Sequence, residues 1–95
     1  MICPISGRFS LGQVLATPGA IGALHDAQQS STEFLNRHLS GDWGGICAED
    51  KQANNEALLN GERLLSAYRT KLGTKLWIIT EADRSATTLL LPEEY

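Results

Sequence analysis

The densest group of chemistry-bearing side chains in this chain is Glu81, Asp83 and Arg84, within Thr80-Glu81-Ala82-Asp83-Arg84-Ser85. Two carboxylates this close can divide general-acid and general-base work, and a guanidinium beside them can fix an anionic group. The same residues also suit a hairpin turn, with Asp83 bonding its own backbone and Arg84 pairing with a nearby carboxylate. Polar loops of mixed charge are common at strand ends, so the turn is the favoured expectation. Cys47 falls at the expected start of a helix, where the dipole favours a thiolate, although adjacent Glu49 and Asp50 oppose it. A small residue at a loop–helix junction is the simpler reading, because a nucleophilic thiol needs a positioned base. Trp43, between Asp42 and Gly44, could anchor a protein partner or fold back into the core; the core is favoured.

Metal chemistry finds little support. His25, His38, Cys3 and Cys47 supply four candidate ligands, yet their spacing matches no paired-ligand motif. His38 follows Phe34 and Leu35 at helical spacing, which points to a partly buried helix histidine. There is no phosphate-binding glycine loop, no G-x-S-x-G elbow and no H-E-x-x-H. No cofactor is therefore expected, and the fold is expected to need neither metal nor disulfide.

The elements that would position these residues fall into two groups. Ser10 can cap a short helix over Leu11 to Ala16, with a short strand as the alternative, since Val14 and Leu15 suit both. Thr17-Pro18 marks the start of a helix carrying Ile21, Leu24 and Ala27 inward. Ser30 and Glu33 fit a capping box opening a second helix, with Phe34, Leu35, His38 and Leu39 on its apolar face. Gly41-Asp42-Trp43-Gly44-Gly45 ends that helix. A third helix, from about Ala48 to Leu59 with Gly61 as terminator, has a thin apolar stripe.

Three strands follow: Arg63 to Arg69, Lys75 to Glu81 and Ala86 to Leu91, forming an antiparallel meander that Pro92 ends. On the middle strand Leu76, Ile78 and Thr80 point one way, and Trp77, Ile79 and Glu81 the other. Trp77 is expected in the core. The predicted fold is a single α+β domain over residues 1–95, with short N-terminal helices packed on a three-stranded antiparallel C-terminal sheet.

Charge narrows the partners. The net charge is −3 over 95 residues, and the excess is confined to the end of the chain. Residues 81–95 hold Glu81, Asp83, Glu93 and Glu94 against Arg84 alone, whereas acids and bases balance over residues 1–80. Nucleic-acid binding needs clustered Lys and Arg, and none are clustered in the sequence. Direct nucleic-acid contact is thus not expected, while a basic protein surface is a candidate partner. The start, Met1-Ile2-Cys3-Pro4-Ile5, has no basic region and too short an apolar run for a signal or span. A cytoplasmic protein with reduced thiols and no membrane contact is expected.

Three segments carry a resemblance: Leu15-Ala16-Thr17-Pro18-Gly19-Ala20, Gly41-Asp42-Trp43-Gly44, and Trp77 through Ser85 running on to Leu91-Pro92-Glu93-Glu94-Tyr95. Through these the chain resembles small, mostly uncharacterised bacterial proteins of plasmids and integrated elements, some loosely labelled plasmid-related or restriction-associated. The resemblance implies a mobile-element setting and carries no catalytic residues. Joined to the acidic end, it suggests a non-enzymatic accessory protein that binds a basic nucleic-acid-handling complex of host defence, as an anti-CRISPR or anti-restriction inhibitor would. Asp42, Trp43, Glu81, Asp83, Arg84, Glu93 and Glu94 are the candidate binding residues. The alternatives are a small enzyme or ligand-binding protein using Glu81, Asp83 and Arg84, and a homodimer pairing Leu89-Leu90-Leu91 as an edge strand.

Overall fold

A computed structural model describes residues 9–95, so Cys3 and the N-terminal segment 1–8 lie outside the described residues. The chain runs β1 (Gln13–Ala16), α1 (Pro18–Ala27), α2 (Ser31–Leu39), α3 (Ala48–Asn60), β2 (Leu64–Arg69), β3 (Lys75–Thr80) and β4 (Ala86–Leu90), then a 3₁₀ turn over Pro92–Glu94. The meander β2–β3–β4 is antiparallel as expected, but the sheet has four strands in the order β1-β4-β3-β2. The added strand is the segment for which helix and strand were both open. It pairs parallel to β4, from Gln13 opposite Ala86 to Ala16 opposite Leu89.

Tertiary contact decides that segment. The amide of Gln13 donates to the Ser85 carbonyl at 2.9 Å, and Thr17 N to Leu89 O at 3.0 Å. Gly12 enters the strand at φ 64°, where a Cβ would collide with the carbonyls of Arg84 and Ser85. β4 consequently lies between β1 and β3, and Leu89-Leu90-Leu91 is not a sheet edge. The dimer expected from that edge loses its geometric basis.

Thr17 caps α1, its hydroxyl accepting from Ala20 N at 3.2 Å, with Pro18 at the first helical position. The capping box at Ser30 does not form: Ser30 makes no side-chain cap bond, and Glu33 accepts from Gln29 Nε2 at 2.9 Å instead. Gly61 ends α3 at φ 71°. α3 buries only Asn54 and Ala57, which matches its thin apolar stripe.

Burial alternates along β2, while on β3 and β4 Ile79 and Leu90 are buried on the second face as well. Leu64, Ser66 and Tyr68, with Leu76, Ile78 and Thr80 and with Thr87 and Leu89, are buried on one face. Ala20 and Leu24 of α1 and Phe34 and Leu35 of α2 pack there to form the main core. Trp43, Ala57 and Leu64 form a second cluster, with Phe9, Ile46 and Leu58 around it. The β2 edge is occupied by local chain. Asn54 brackets Leu65, donating to its carbonyl at 2.6 Å and accepting from its amide at 3.2 Å. Ala67 pairs with Trp43 O and Gly45 N at 3.1 and 2.7 Å. These contacts remove the pairing groups that make an edge strand adhesive.

Candidate functional site

The acidic end disperses into separate structural duties. In the turn after β3, Asp83 accepts from Ser85 N at 2.9 Å, and its bonds to Ser85 hold its carboxyl below the usual range. Glu81 turns toward Arg63, 3.9 Å away. Arg84 sits at φ 60° and, among the described residues, pairs with no carboxylate. Its Nη1 donates to the carbonyls of Glu62 (2.6 Å), Glu81 (3.1 Å) and Ala82 (3.2 Å), and its Nη2 to Ala57 (3.1 Å). A cation is thereby fixed on the carbonyl end of α3, which has no basic residue in its own last turn. Arg84 is a structural clamp between helix and turn, and the acid–base–anion triad does not assemble.

Glu94 is spent in the same way. Its carboxylate accepts from the Thr17 hydroxyl, from Gly19 N at 3.1 Å and from Leu91 N at 2.9 Å. These bonds, the Thr17 hydroxyl foremost, lower its pKa. The C-terminal turn is therefore pinned to the N-terminus of α1, where a negative charge is favourable. Glu93 is exposed.

Trp43 is buried, 3 % exposed, and donates through Nε1 to Asn55 Oδ1 at 3.1 Å. It is core, as favoured, and cannot serve as a surface anchor. Asp42 pairs with Arg37 at 2.7 Å, which holds its carboxyl low, and the Arg37 guanidinium lies 4.5 Å from the centre of the Tyr68 ring.

The metal candidates stay apart. His25 is exposed beside Asp26, and Cys47 is exposed at the N-cap of α3. His38 is fully buried. Among the described residues no three His, Cys, Asp or Glu side chains come together to hold a metal.

His38 belongs to a buried polar chain that the sequence did not signal. Its Nδ1 lies 2.5 Å from Ser66 Oγ and its Nε2 2.9 Å from Thr80 Oγ1. Thr80 meets Thr87 at 2.8 Å, and Thr87 donates to the Leu11 carbonyl at 2.7 Å. That last bond sets the direction as far as the ring: Thr87 accepts from Thr80, and Thr80 from a protonated Nε2. Burial, with Arg84 adding repulsion, pushes the imidazole pKa down to about 4, so near neutral pH the ring is uncharged and its Nδ1 accepts from Ser66. Ser66 and His38 have the contact of a nucleophile and its base. Both are fully buried, so they meet no substrate and tie α2 to the sheet.

Among the described residues, a surface with binding character is the other face of the sheet. The C-terminal turn leans on one part of it, the Tyr95 ring centre 5.8 Å from that of Trp77, and Ile79 and Leu90 are buried there. Arg37 of α2, the Asp42–Ile46 loop and Asp50 of α3 border it at the β2 side. Leu65, Ala67 and Trp77 are half-buried there, so Trp77 is a face residue rather than the core residue expected. A hollow of about 240 Å³ is lined by Arg63, Leu65, Trp77, Ile79 and Tyr95. A cleft of about 600 Å³ adjoins it, sharing Leu65 and Trp77 and reaching Ala67, Arg69, Lys75 and the Asp42–Ile46 loop. Arg69 and Lys75 stand directly opposite each other in the β2–β3 register.

No protein-family model, curated protein or solved structure matches this chain. No helix among the described residues is long and apolar enough to cross a membrane.

Proposed function

We propose that the chain is a non-enzymatic protein-binding module whose recognition surface is this second face of the sheet. The observation carrying this is the half-buried Trp77, flanked by an apolar hollow and by Arg69 and Lys75. An accessible tryptophan with apolar and cationic neighbours is the composition of a binding hot spot. The acidic residues support the fold more than a charged surface: Glu94 and Glu81 are engaged, which leaves Asp83 and Glu93 at the rim. The mobile-element setting, with a host-defence complex as target, rests on the sequence resemblance and gives the first partners to try. An enzymatic role for Glu81, Asp83 and Arg84 has no support from their geometry, since Arg84 is committed to four carbonyls.

The test is affinity capture from a bacterial host, comparing wild type, Trp77→Ser, and a variant neutralised at Glu81, Asp83 and Glu93. Circular dichroism melts establish that each is folded. The expected result is a partner retained by wild type and the neutralised variant and lost with Trp77→Ser. Loss with the neutralised variant alone would return the function to the acidic end.

A further inference from the structure

We propose that this face reads an extended acidic peptide in two places: a large apolar side chain in the Leu65–Trp77–Ile79–Tyr95 hollow, and a carboxylate on Arg69 and Lys75. The inference rests on the preceding reading that the face binds protein, and it names the chemistry of what is bound.

The cation pair supplies the argument. Like charges directly opposite in an antiparallel pair oppose sheet formation, so Arg69 facing Lys75 is a local cost to the fold. The other cations around the face are compensated: Arg37 pairs with Asp42, and Arg63 faces Glu81. Among the described residues neither Arg69 nor Lys75 makes an ion pair; Arg69 donates only to the Gly73 carbonyl, at 3.1 Å. One bound carboxylate would relieve the repulsion and accept charge-assisted bonds from both side chains.

Geometry sets the spacing. Lys75, Trp77 and Ile79 occupy alternate positions of β3, with Arg69, Ala67 and Leu65 opposite them. From Ile79 to Lys75 the strand advances four residues, roughly 14 Å at about 3.4 Å each. An extended peptide lying along the face advances at the same rate. Its apolar anchor and its acidic residue should therefore be four positions apart, which also places both side chains on one side.

A nucleic-acid strand suits the site less well. Asp42 and Asp50 line the same cleft, and a run of phosphates would meet their charge. A single carboxylate held at the Arg69–Lys75 end avoids it.

The experiment selects a phage-displayed random dodecapeptide library on the full chain, then measures a selected synthetic peptide by fluorescence anisotropy. We expect enrichment of an aromatic or large aliphatic residue four positions from Asp or Glu. Arg69→Gln with Lys75→Gln should weaken binding roughly tenfold or more, as loss of a charge-assisted bond does. Should that variant not fold, changing the peptide's own acid to the amide gives the mirrored measurement. Enrichment without an acid, or affinity indifferent to both changes, overturns the proposal. So does a labelled oligothymidylate that binds wild type and is lost with Trp77→Ser, since the occupant is then a nucleic-acid strand. If capture depends on Trp77 but no acidic motif emerges, the peptide inference falls and the binding face stands. If capture is indifferent to Trp77, both fall.

Discussion

Acidification should strain this fold at one identifiable place, the imidazole of His38. In the native state both ring nitrogens are engaged in a one-directional chain that ends on the Leu11 carbonyl, and burial lowers the pKa from 6.5 to about 4. In the unfolded chain His38 titrates near its ordinary value. Between those two pH values the unfolded state binds more protons, so stability falls as pH drops from about 6.5 toward 4. Over that window the loss approaches about 3 kcal/mol, because each tenfold weakening of proton affinity is worth ~1.4 kcal/mol. Asp42, Asp83 and Glu94 have lowered pKa values, so their contributions are lost only as pH falls below the ordinary carboxylate range. The assay is urea unfolding at a series of pH values for wild type and His38→Gln. The variant cannot titrate at this position, and the two proteins differ nowhere else. The advantage of wild type over the variant should shrink by about 3 kcal/mol between pH 7 and pH 4. A difference between the two that does not change with pH would refute the neutral, locked imidazole.

The two tryptophans should separate cleanly in denaturant melts. Trp43→Ala should cost about 3–5 kcal/mol as a buried aromatic, and Trp77→Ala less, about 1–2 kcal/mol, because it is only partly buried; the reverse order would exchange core and face. Arg84→Ala should cost about 2–3 kcal/mol, because it leaves the end of α3 and the turn after β3 without a shared donor. A near-neutral Arg84→Ala midpoint would show that water replaces the clamp. Gly44→Ala should lower the midpoint by about 2 kcal/mol or more, since φ is 76° and a Cβ would collide with the Ala67 carbonyl. An unchanged midpoint would show that the loop along β2 can move aside.

The meander was legible because Leu76, Ile78 and Thr80 alternate with Trp77, Ile79 and Glu81, and a period of two survives any tertiary context. β1 was not decidable, because the four residues between Gly12 and Thr17 have no local partner and pair instead with Ala86–Leu89 of β4 near the other end of the chain. The polar chain through His38 joins α2, β2, β3 and β4, so its members share no spacing in the sequence. The cations of the second face were hidden differently. Arg69 and Lys75 look scattered until the β2–β3 register sets them opposite each other. Glu81, Asp83 and Arg84 misled for the converse reason: neighbours in sequence, they turn to different partners in space.

The parallel pairing of β1 with β4 has a consequence for synthesis on the ribosome. Thr87 reaches the Leu11 carbonyl across 76 residues, and Thr17 is joined to Glu94 across 77. The first strand and all three helices emerge before any strand exists for them to pack against. The central strand β4 is the last to emerge, so the sheet closes only when that late segment arrives. Folding must then bring distant segments together at once, and such closure is slow compared with forming the helices. Until that moment Phe34, Leu24 and Leu35, buried in the finished fold, are exposed on a growing chain. The nascent polypeptide, rather than the finished fold, is the form most open to chaperones, proteases and aggregation.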